Sequence, residues 1–233
     1  MIAAVHPAGL TPMERDAAFR IVLADAADHL TAADPVLAGL IDRVGACTLS
    51  PEWARSPFES LVRSVAYQQL HGRAAAVILK RFLALFEAPF PSPGDIVSLD
   101  DETMRAVGFS RSKVAAIRDI AVHAASGLLP DRASADALDD AELVARLTPI
   151  RGVGPWTVQM LLIFTLGRLD VLPADDFGVR NGIRRTYTLD ALPPKNEVVR
   201  MAEAWRPYRS IASWYLWRAA EGRPPQGQDA PLS

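Results

Sequence analysis

The chain has 233 residues, half of them apolar, a formal net charge of −2 and one cysteine, Cys47. This composition is too apolar for a disordered chain, and one cysteine excludes an internal disulfide, a four-cysteine zinc site and an iron–sulfur cluster held by four cysteines of this chain. Because no segment offers about 18 consecutive apolar residues, and the start lacks the pattern of a signal peptide, we expect a soluble, cytoplasmic protein.

Helical spacing of the apolar residues dominates the chain and predicts an all-α fold. One of the clearest helices starts at Ser56-Pro57-Phe58-Glu59. There serine can cap the helix, proline suits its first turn, and glutamate follows three residues after the cap. The apolar face of this helix is predicted to contain Phe58, Leu61, Val62, Val65 and Ala66.

The sequence Gln68-Gln69-Leu70-His71-Gly72 interrupts that helix. A second apolar stripe then resumes at helical spacing, formed by Ala74, Val77, Ile78, Phe82 and Leu85. Three prolines and a glycine predict a surface loop next, at Pro89, Pro91, Pro93 and Gly94. Further helices are predicted over residues 112–125, 138–147 and 208–220.

Residues 143–166 read LVARLTPIRGVGPWTVQMLLIFTL, which predicts two helices joined by a glycine turn. Gly152 and Gly154 let the backbone approach a phosphate closely, and Pro155 opens the second helix, whose N-terminal amides attract negative charge. Such a hairpin can hold DNA through its backbone without a strongly basic composition. Many helical hairpins with no ligand share the same turn, so the motif alone leaves its role open.

An apolar approach, a proline and two adjacent aspartates follow, in DVLPADDFGVR at residues 170–180. An aspartate at the start of a helix tends to stay ionised and can stabilise positive charge on a sugar as a glycosidic bond breaks. Capping a helix is the alternative role for Asp175 and Asp176.

The segments PIRGVGPWTVQMLL and DVLPADDFGVRNGIRR resemble the helix-hairpin-helix, Gly/Pro-rich loop and aspartate signature of one DNA glycosylase superfamily. Within it the chain is most similar to the alkylpurine, or 3-methyladenine DNA glycosylase II, branch. RSVAYQQLHGRAA and WRPYRSIASWYLWR extend the resemblance to roughly residues 35–220, without the extra N-terminal α/β domain of some bacterial members.

The resemblance implies a two-lobed all-α fold with a DNA-binding cleft between the lobes. We expect residues 1–55 to pack with the C-terminal lobe, residues 56–135 to form a lobe with a wedge loop, residues 136–222 to form the hairpin lobe with the catalytic aspartate, and residues 223–233 to be a flexible tail.

The family's catalytic aspartate falls on Asp176, with Asp175 as second choice. Members that also cleave the DNA backbone carry a lysine nucleophile where this chain has Trp156, so we expect no Schiff base and no lyase activity. The resemblance puts the pocket for the flipped base on Trp156, Phe177, Trp217, Asp175 and Met160. Electron-rich rings suit a base made cationic by alkylation, although tryptophan and phenylalanine are usually core residues.

DNA contacts implied by the resemblance comprise the wedge and the hairpin. Leu70 would fill the space left by the flipped base, with His71 beside it; the alternative is that Leu70 is a core residue and His71 an ordinary surface histidine. The full predicted set is Leu70, His71, Gln69, Gly152, Gly154, Thr157 and Arg180. Two roles are open for five arginines, which could contact phosphates or simply solvate their helices: Arg180, Arg184, Arg185, Arg206 and Arg209.

No organic cofactor is implied, but the family's hairpin often holds a monovalent cation, Na⁺ or K⁺, through backbone carbonyls that fall on Thr148, Ile150 and Val153. The predicted function is a monomeric, monofunctional glycosylase that removes alkylated purines from double-stranded DNA, with no membrane partner. The alternatives are a glycosylase for an oxidised or mismatched base and a catalytically silent module that recognises damaged DNA. The net charge of −2 counts against DNA binding unless basic residues cluster in space.

Overall fold

The computed structural model describes residues 10–69 and 72–222. Over these residues the structure has no strand, which confirms the all-α prediction. Its helices are α1 (Pro12–Ala33), α2 (Pro35–Val44), α3 (Pro57–Tyr67), α4 (Gly72–Leu83), α5 (Pro93–Ser98), α6 (Asp101–Ala106), α7 (Arg111–Ala125), α8 (Arg132–Ala137), α9 (Asp140–Leu147), α10 (Pro155–Phe164), α11 (Phe177–Thr186), α12 (Lys195–Met201) and α13 (Arg209–Glu221).

Local capping signals set most helix starts. Ser56 accepts a hydrogen bond from the backbone N–H of Glu59, as its position before Pro57 predicts. Ser92 and Asp95 form a reciprocal capping box at the start of α5. Pro93 and Gly94, predicted to lie in a surface loop, therefore belong to a helix, because Ser92 caps it and proline is favoured in its first turn.

The contacts divide the chain into two compact units. The first contains the described residues up to Trp53 and those from Leu162 onward, and the second contains Ala54–Leu161. The division therefore falls elsewhere than the predicted boundary at residues 135 and 136: α9, the hairpin turn and most of α10 belong with α3–α8.

In the second unit α3 packs against α4 and α7, and α7 also contacts α5 and α6. The predicted apolar face of α3 is buried throughout. The predicted stripe of α4 is confirmed only at Phe82, which is buried together with Ala75 and Leu79; the predicted members Val77 and Leu85 are exposed. Since residues 74–79 are all apolar, their spacing does not choose between two faces of the helix.

In the first unit α11 and α13 pack closely, and α2 contacts both. The crossing depends on Gly182, where an added Cβ would lie 2.1 Å from the carbonyl oxygen of Leu216. At the start of α2, Asp34 caps the helix and also accepts hydrogen bonds from the Tyr187 hydroxyl and Trp205 Nε1. This carboxylate therefore joins three separate parts of the unit.

No helix in the described part of the chain is long and apolar enough to cross a membrane.

Candidate active site

Asp176 is the N-cap of α11, as the paired aspartates predict. Its Oδ1 accepts the backbone N–H of Val179 at 2.8 Å and the indole Nε1–H of Trp217 at 2.7 Å. The first bond belongs to the helix start, and the second comes from α13. A half-buried carboxylate is thus fixed by two donors on separate helices.

Trp217 was predicted from the resemblance to line a base pocket, but its side chain is only 5% exposed. Its ring lies 5.6 Å from that of Phe164 and is tilted by 30°. Gly178 permits this packing, because an added Cβ would lie 2.7 Å from Trp217 Cδ1 and 3.0 Å from Asp176 Oδ1. Trp217 therefore holds the Asp176 carboxylate through its indole N–H. Sequence reasoning missed this contact because 41 residues separate the two.

Asp175 has a different environment from its neighbour. Its carboxylate is 66% exposed and forms an ion pair of 2.6 Å with Lys195, at the start of α12. Phe177, the next residue beyond Asp176, is 67% exposed and leaves a large aromatic surface open. These placements make Asp176 the better held of the two carboxylates.

The predicted helix-hairpin-helix consists of α9, a turn and α10. Gly152 has a φ of +79° and its added Cβ would lie 2.8 Å from the Cβ of Ala116, so both conformation and space require glycine there. Gly154 has neither restriction: an added Cβ would contact nothing within 4 Å. The open space at Gly154 agrees with a backbone that a ligand can approach.

Gln68, a residue that sequence reasoning left without a role, ties the end of α3 to this turn. Its Nε2 donates to the Gly152 carbonyl oxygen at 3.1 Å and lies 3.5 Å from Thr157 Oγ1. Gln69 follows with a φ of +58°, unusual for a residue other than glycine. The predicted wedge residues Leu70 and His71 lie outside the described residues, so their role stays a prediction.

The residues of α10 predicted to line the pocket, Trp156 and Met160, or to contact DNA, Thr157, differ in exposure. Trp156 is 37% exposed, whereas Met160 is 4% exposed and Thr157 also 4%. The indole of Trp156 is therefore partly exposed, while Met160 and Thr157 contribute to packing. Their contact with a ligand stays a prediction.

The predicted cation ligands lie in the hairpin as neutral backbone oxygens. The Ile150 carbonyl accepts the N–H of Val153 at 3.0 Å, which uses one of its two lone pairs. The bond does not exclude the predicted set of Thr148, Ile150 and Val153, and the cation stays a prediction. Among the described residues, no cluster of three or more histidine, cysteine or acidic side chains offers a metal site.

Most of the arginines suggested for phosphate contact bind the protein itself. Arg180 Nε donates to the Pro193 carbonyl at 2.9 Å, and Arg185 donates to the Ala220 carbonyl at 2.6 Å. Arg206 and Arg209 both bind the Asp170 carboxylate. These bonds tie the basic side chains around α11 and α13 to their own unit, and contact of these arginines with phosphate stays a prediction.

Known proteins match the chain in sequence and in structure. The family model for the HhH-GPD superfamily of base excision DNA repair proteins matches residues 62–207. DNA-3-methyladenine glycosylase 1 of Schizosaccharomyces pombe is 45% identical over 168 residues, covering 72% of this chain and 74% of that protein. The alkylbase DNA glycosidase-like protein mag2 of the same yeast is 35% identical over 192 residues, covering 82% of this chain and 90% of mag2.

Among solved structures, the S. pombe 3-methyladenine DNA glycosylase Mag1 in complex with abasic DNA matches with a TM-score of 0.76 and 43% identity, covering 83% of this chain and 95% of that chain. The family match spans more than half of the residues and includes the hairpin and Asp176. The chain belongs to the HhH-GPD superfamily of base excision DNA repair proteins.

Proposed function

We propose that this protein is a monofunctional DNA glycosylase that removes alkylated purines, of the 3-methyladenine and 7-methylguanine type, from double-stranded DNA. The observation that carries the proposal is the Asp176 carboxylate, which Val179 and Trp217 hold at the start of α11. The names of the similar proteins support the substrate class, and a relative bound to abasic DNA supports the product class.

The reaction breaks the bond between C1′ of the deoxyribose and a purine nitrogen. The bonding electrons leave with the base, which alkylation has already made cationic and which therefore departs neutral. Positive charge develops on the sugar, and the fixed carboxylate of Asp176 stabilises it. Water then adds to C1′ and loses a proton, for which Asp176 can act as general base, leaving an abasic site.

We assign the exposed ring of Phe177, next to Asp176, to the flipped base, and for the partly exposed ring of Trp156 we keep the pocket role that the resemblance predicts. A cationic purine is attracted to the face of an aromatic ring, which favours alkylated over ordinary bases. Trp217 is assigned to positioning Asp176, because its indole is buried and its N–H is directed at that carboxylate.

Trp156 also stands where lyase members of the family have lysine, and an indole cannot form a Schiff base. Cleavage is therefore expected to stop at the abasic site, with no covalent enzyme–DNA intermediate.

Two rival functions make different predictions. A glycosylase for an oxidised or mismatched base would release that base and leave methylated DNA intact. A silent recognition module would bind damaged DNA and release nothing. An aspartate held by two donors is not required for binding alone, and it favours an enzyme over the module.

The test is base release from duplex DNA treated with a simple methylating agent, measured by chromatography for the wild type, Asp176→Asn and Asp175→Asn. Asparagine caps a helix as well as aspartate does, so Asp176→Asn removes the charge while keeping the start of α11. We expect release of 3-methyladenine or 7-methylguanine by the wild type, a loss of about 100-fold or more in Asp176→Asn, and near-normal activity in Asp175→Asn.

No release by the wild type, with binding to damaged DNA retained, would overturn the alkylpurine assignment. Release of another lesion base would then identify a different glycosylase, and failure on every lesion would leave the silent module. Equal activity of Asp176→Asn and the wild type would remove Asp176 from catalysis.

A further inference from the structure

A basic depression lies beside the hairpin turn, within the unit formed by Ala54–Leu161. It has a volume of ≈430 Å³, and its lining includes Arg111 and Lys113 of α7, Arg151 and Gly152 of the hairpin, and Gln68 at the end of α3. Among the described residues that line it, three side chains are cationic and none is acidic. A chain with a net charge of −2 thus has a local concentration of positive charge beside the turn predicted to hold DNA.

Two of these cations are available to a ligand. Arg111 and Arg151 are exposed, and within residues 10–69 and 72–222 their guanidinium groups have no ion-pair or hydrogen-bond partner. Arg118, on the same helix α7, is by contrast used by the fold. Its guanidinium donates to the Asp101 carboxylate and to two backbone carbonyl oxygens. The two arginines of the depression are therefore not used by the fold.

The walls of the depression are held in place by specific bonds. Gln68 joins α3 to the Gly152 carbonyl, and the Arg151 backbone N–H donates to Asp119 Oδ2 at 2.7 Å, which fastens the hairpin to α7. Lys113 Nζ donates to the Ala66 carbonyl at 2.7 Å and so holds α7 against the end of α3. A ligand would meet backbone walls that are already formed, so that ordering is confined to the two arginine side chains.

Lys113 is the partly buried cation of the depression. Partial burial lowers the pKa of its ammonium group, because desolvation disfavours the charged form. A phosphate bound nearby would favour the charged form and raise that pKa again.

We propose that this depression binds a backbone phosphate of duplex DNA, with Arg111 and Arg151 donating to the phosphate oxygens and Lys113 adding charge behind them. The proposal rests on the proposed function, since it takes DNA as the ligand. Planar guanidinium groups suit phosphate because they donate paired hydrogen bonds to its oxygens. The contact positions the duplex beside Gln69 and the hairpin without reading its sequence.

The first experiment measures the affinity for undamaged duplex, and for duplex with an abasic-site analogue, between 50 and 200 mM salt. The proteins are the wild type, Arg111→Gln, Arg151→Gln, the double variant and Arg81→Gln. Arg81 is the matched control, an exposed guanidinium on the last turn of α4 that does not line the depression.

We expect the double variant to bind both duplexes about tenfold more weakly, and the slope of log K against log[salt] to fall by about 1. Arg81→Gln should change neither, and all variants should keep the wild-type melting temperature. A double variant that folds normally and keeps both affinity and salt slope would overturn the proposal.

The second experiment places a neutral methylphosphonate at each backbone position of the duplex in turn. At the contacted position the substitution should weaken the wild type and have no further effect in the double variant. Losses equal in both proteins at every position would contradict the assignment. Because undamaged duplex is used, the depression is tested even if no base is released, and an active enzyme whose variants bind normally would overturn this proposal alone.

Discussion

The surroundings of Asp176 and the hairpin region use their polar groups in opposite ways. Around α11 and α13, Trp217 holds Asp176 and Asp170 holds Arg206 and Arg209. At the hairpin, Arg111 and Arg151 stay exposed and line an open depression. One region holds a reacting group in place, and the other presents guanidinium donors that have no partner within the part of the chain that the structure describes.

This difference implies different responses to mutation. Changes around α11 and α13 should lower the stability or the catalytic rate, whereas changes to the hairpin cations should alter DNA affinity and its salt dependence alone. Three substitutions in the first region test this contrast with Arg111→Gln and Arg151→Gln.

Gly182→Ala should destabilise the protein more than the other substitutions. The new Cβ would meet the Leu216 carbonyl at 2.1 Å, and neither helix backbone can move without separating α11 from α13. We expect a loss of about 3 kcal/mol in the free energy of unfolding, at the upper end for overpacking, measured by urea denaturation.

Gly39→Ala is the matched control for that substitution. Gly39 lies within α2, and its added Cβ would meet only Arg43 at an ordinary 3.6 Å. Alanine there should stabilise the protein by up to about 1 kcal/mol through helix propensity. If both variants changed stability in the same direction, close packing of α11 on α13 would not be what limits the first unit.

Asp34→Ala should have a somewhat smaller effect, about 2–3 kcal/mol at neutral pH. The change removes the cap of α2 and leaves the Tyr187 hydroxyl and Trp205 Nε1 without their acceptor. The control Asp131→Ala removes only the exposed cap of α8 and should cost about 1 kcal/mol.

The penalty for losing Asp34 also depends on pH. Burial alone would raise the pKa of this carboxyl, but hydrogen bonds from Trp205, Tyr187 and two backbone N–H groups lower it overall. A carboxyl with a lowered pKa stabilises the fold above the pKa of the unfolded chain, and that stabilisation is lost as the pH falls through the folded value. The difference between the wild type and Asp34→Ala should therefore shrink below about pH 4, and a difference independent of pH would contradict the role of the charge.

The smallest change is expected for Trp217→Phe, which keeps a buried ring but removes the Nε1–H donor to Asp176. Losing a hydrogen bond to a charged group corresponds to about 1.5–2 kcal/mol, or a 10- to 30-fold fall in the rate of base release. The loss should appear in kcat with KM for the damaged duplex unchanged, in single-turnover and steady-state assays. A rise in KM with kcat unchanged would instead assign Trp217 to base binding.

Features with local causes could be predicted from sequence. Ser56 and Asp176 cap their helices through backbone groups three residues away, and Pro155 begins α10 as expected. The glycine turn was also predicted, although only Gly152 has the positive φ that requires glycine. The buried face of α4 was predicted incorrectly, because a continuous run of apolar residues does not show which side of the helix faces the core.

Sequence alone thus determined the all-α fold, the hairpin and the aspartate at the start of α11, because caps, turns and helical spacing act over a few residues. The contact between Trp217 and Asp176, which are 41 residues apart, and the bonds from Tyr187 and Trp205 to Asp34 could be found only in the folded structure. The structure likewise distinguishes arginines that are paired within the protein, such as Arg206 and Arg209, from the exposed Arg111 and Arg151 at the hairpin. Such pairings depend on which helix faces meet, and a side chain's distant partner leaves no mark in its local sequence.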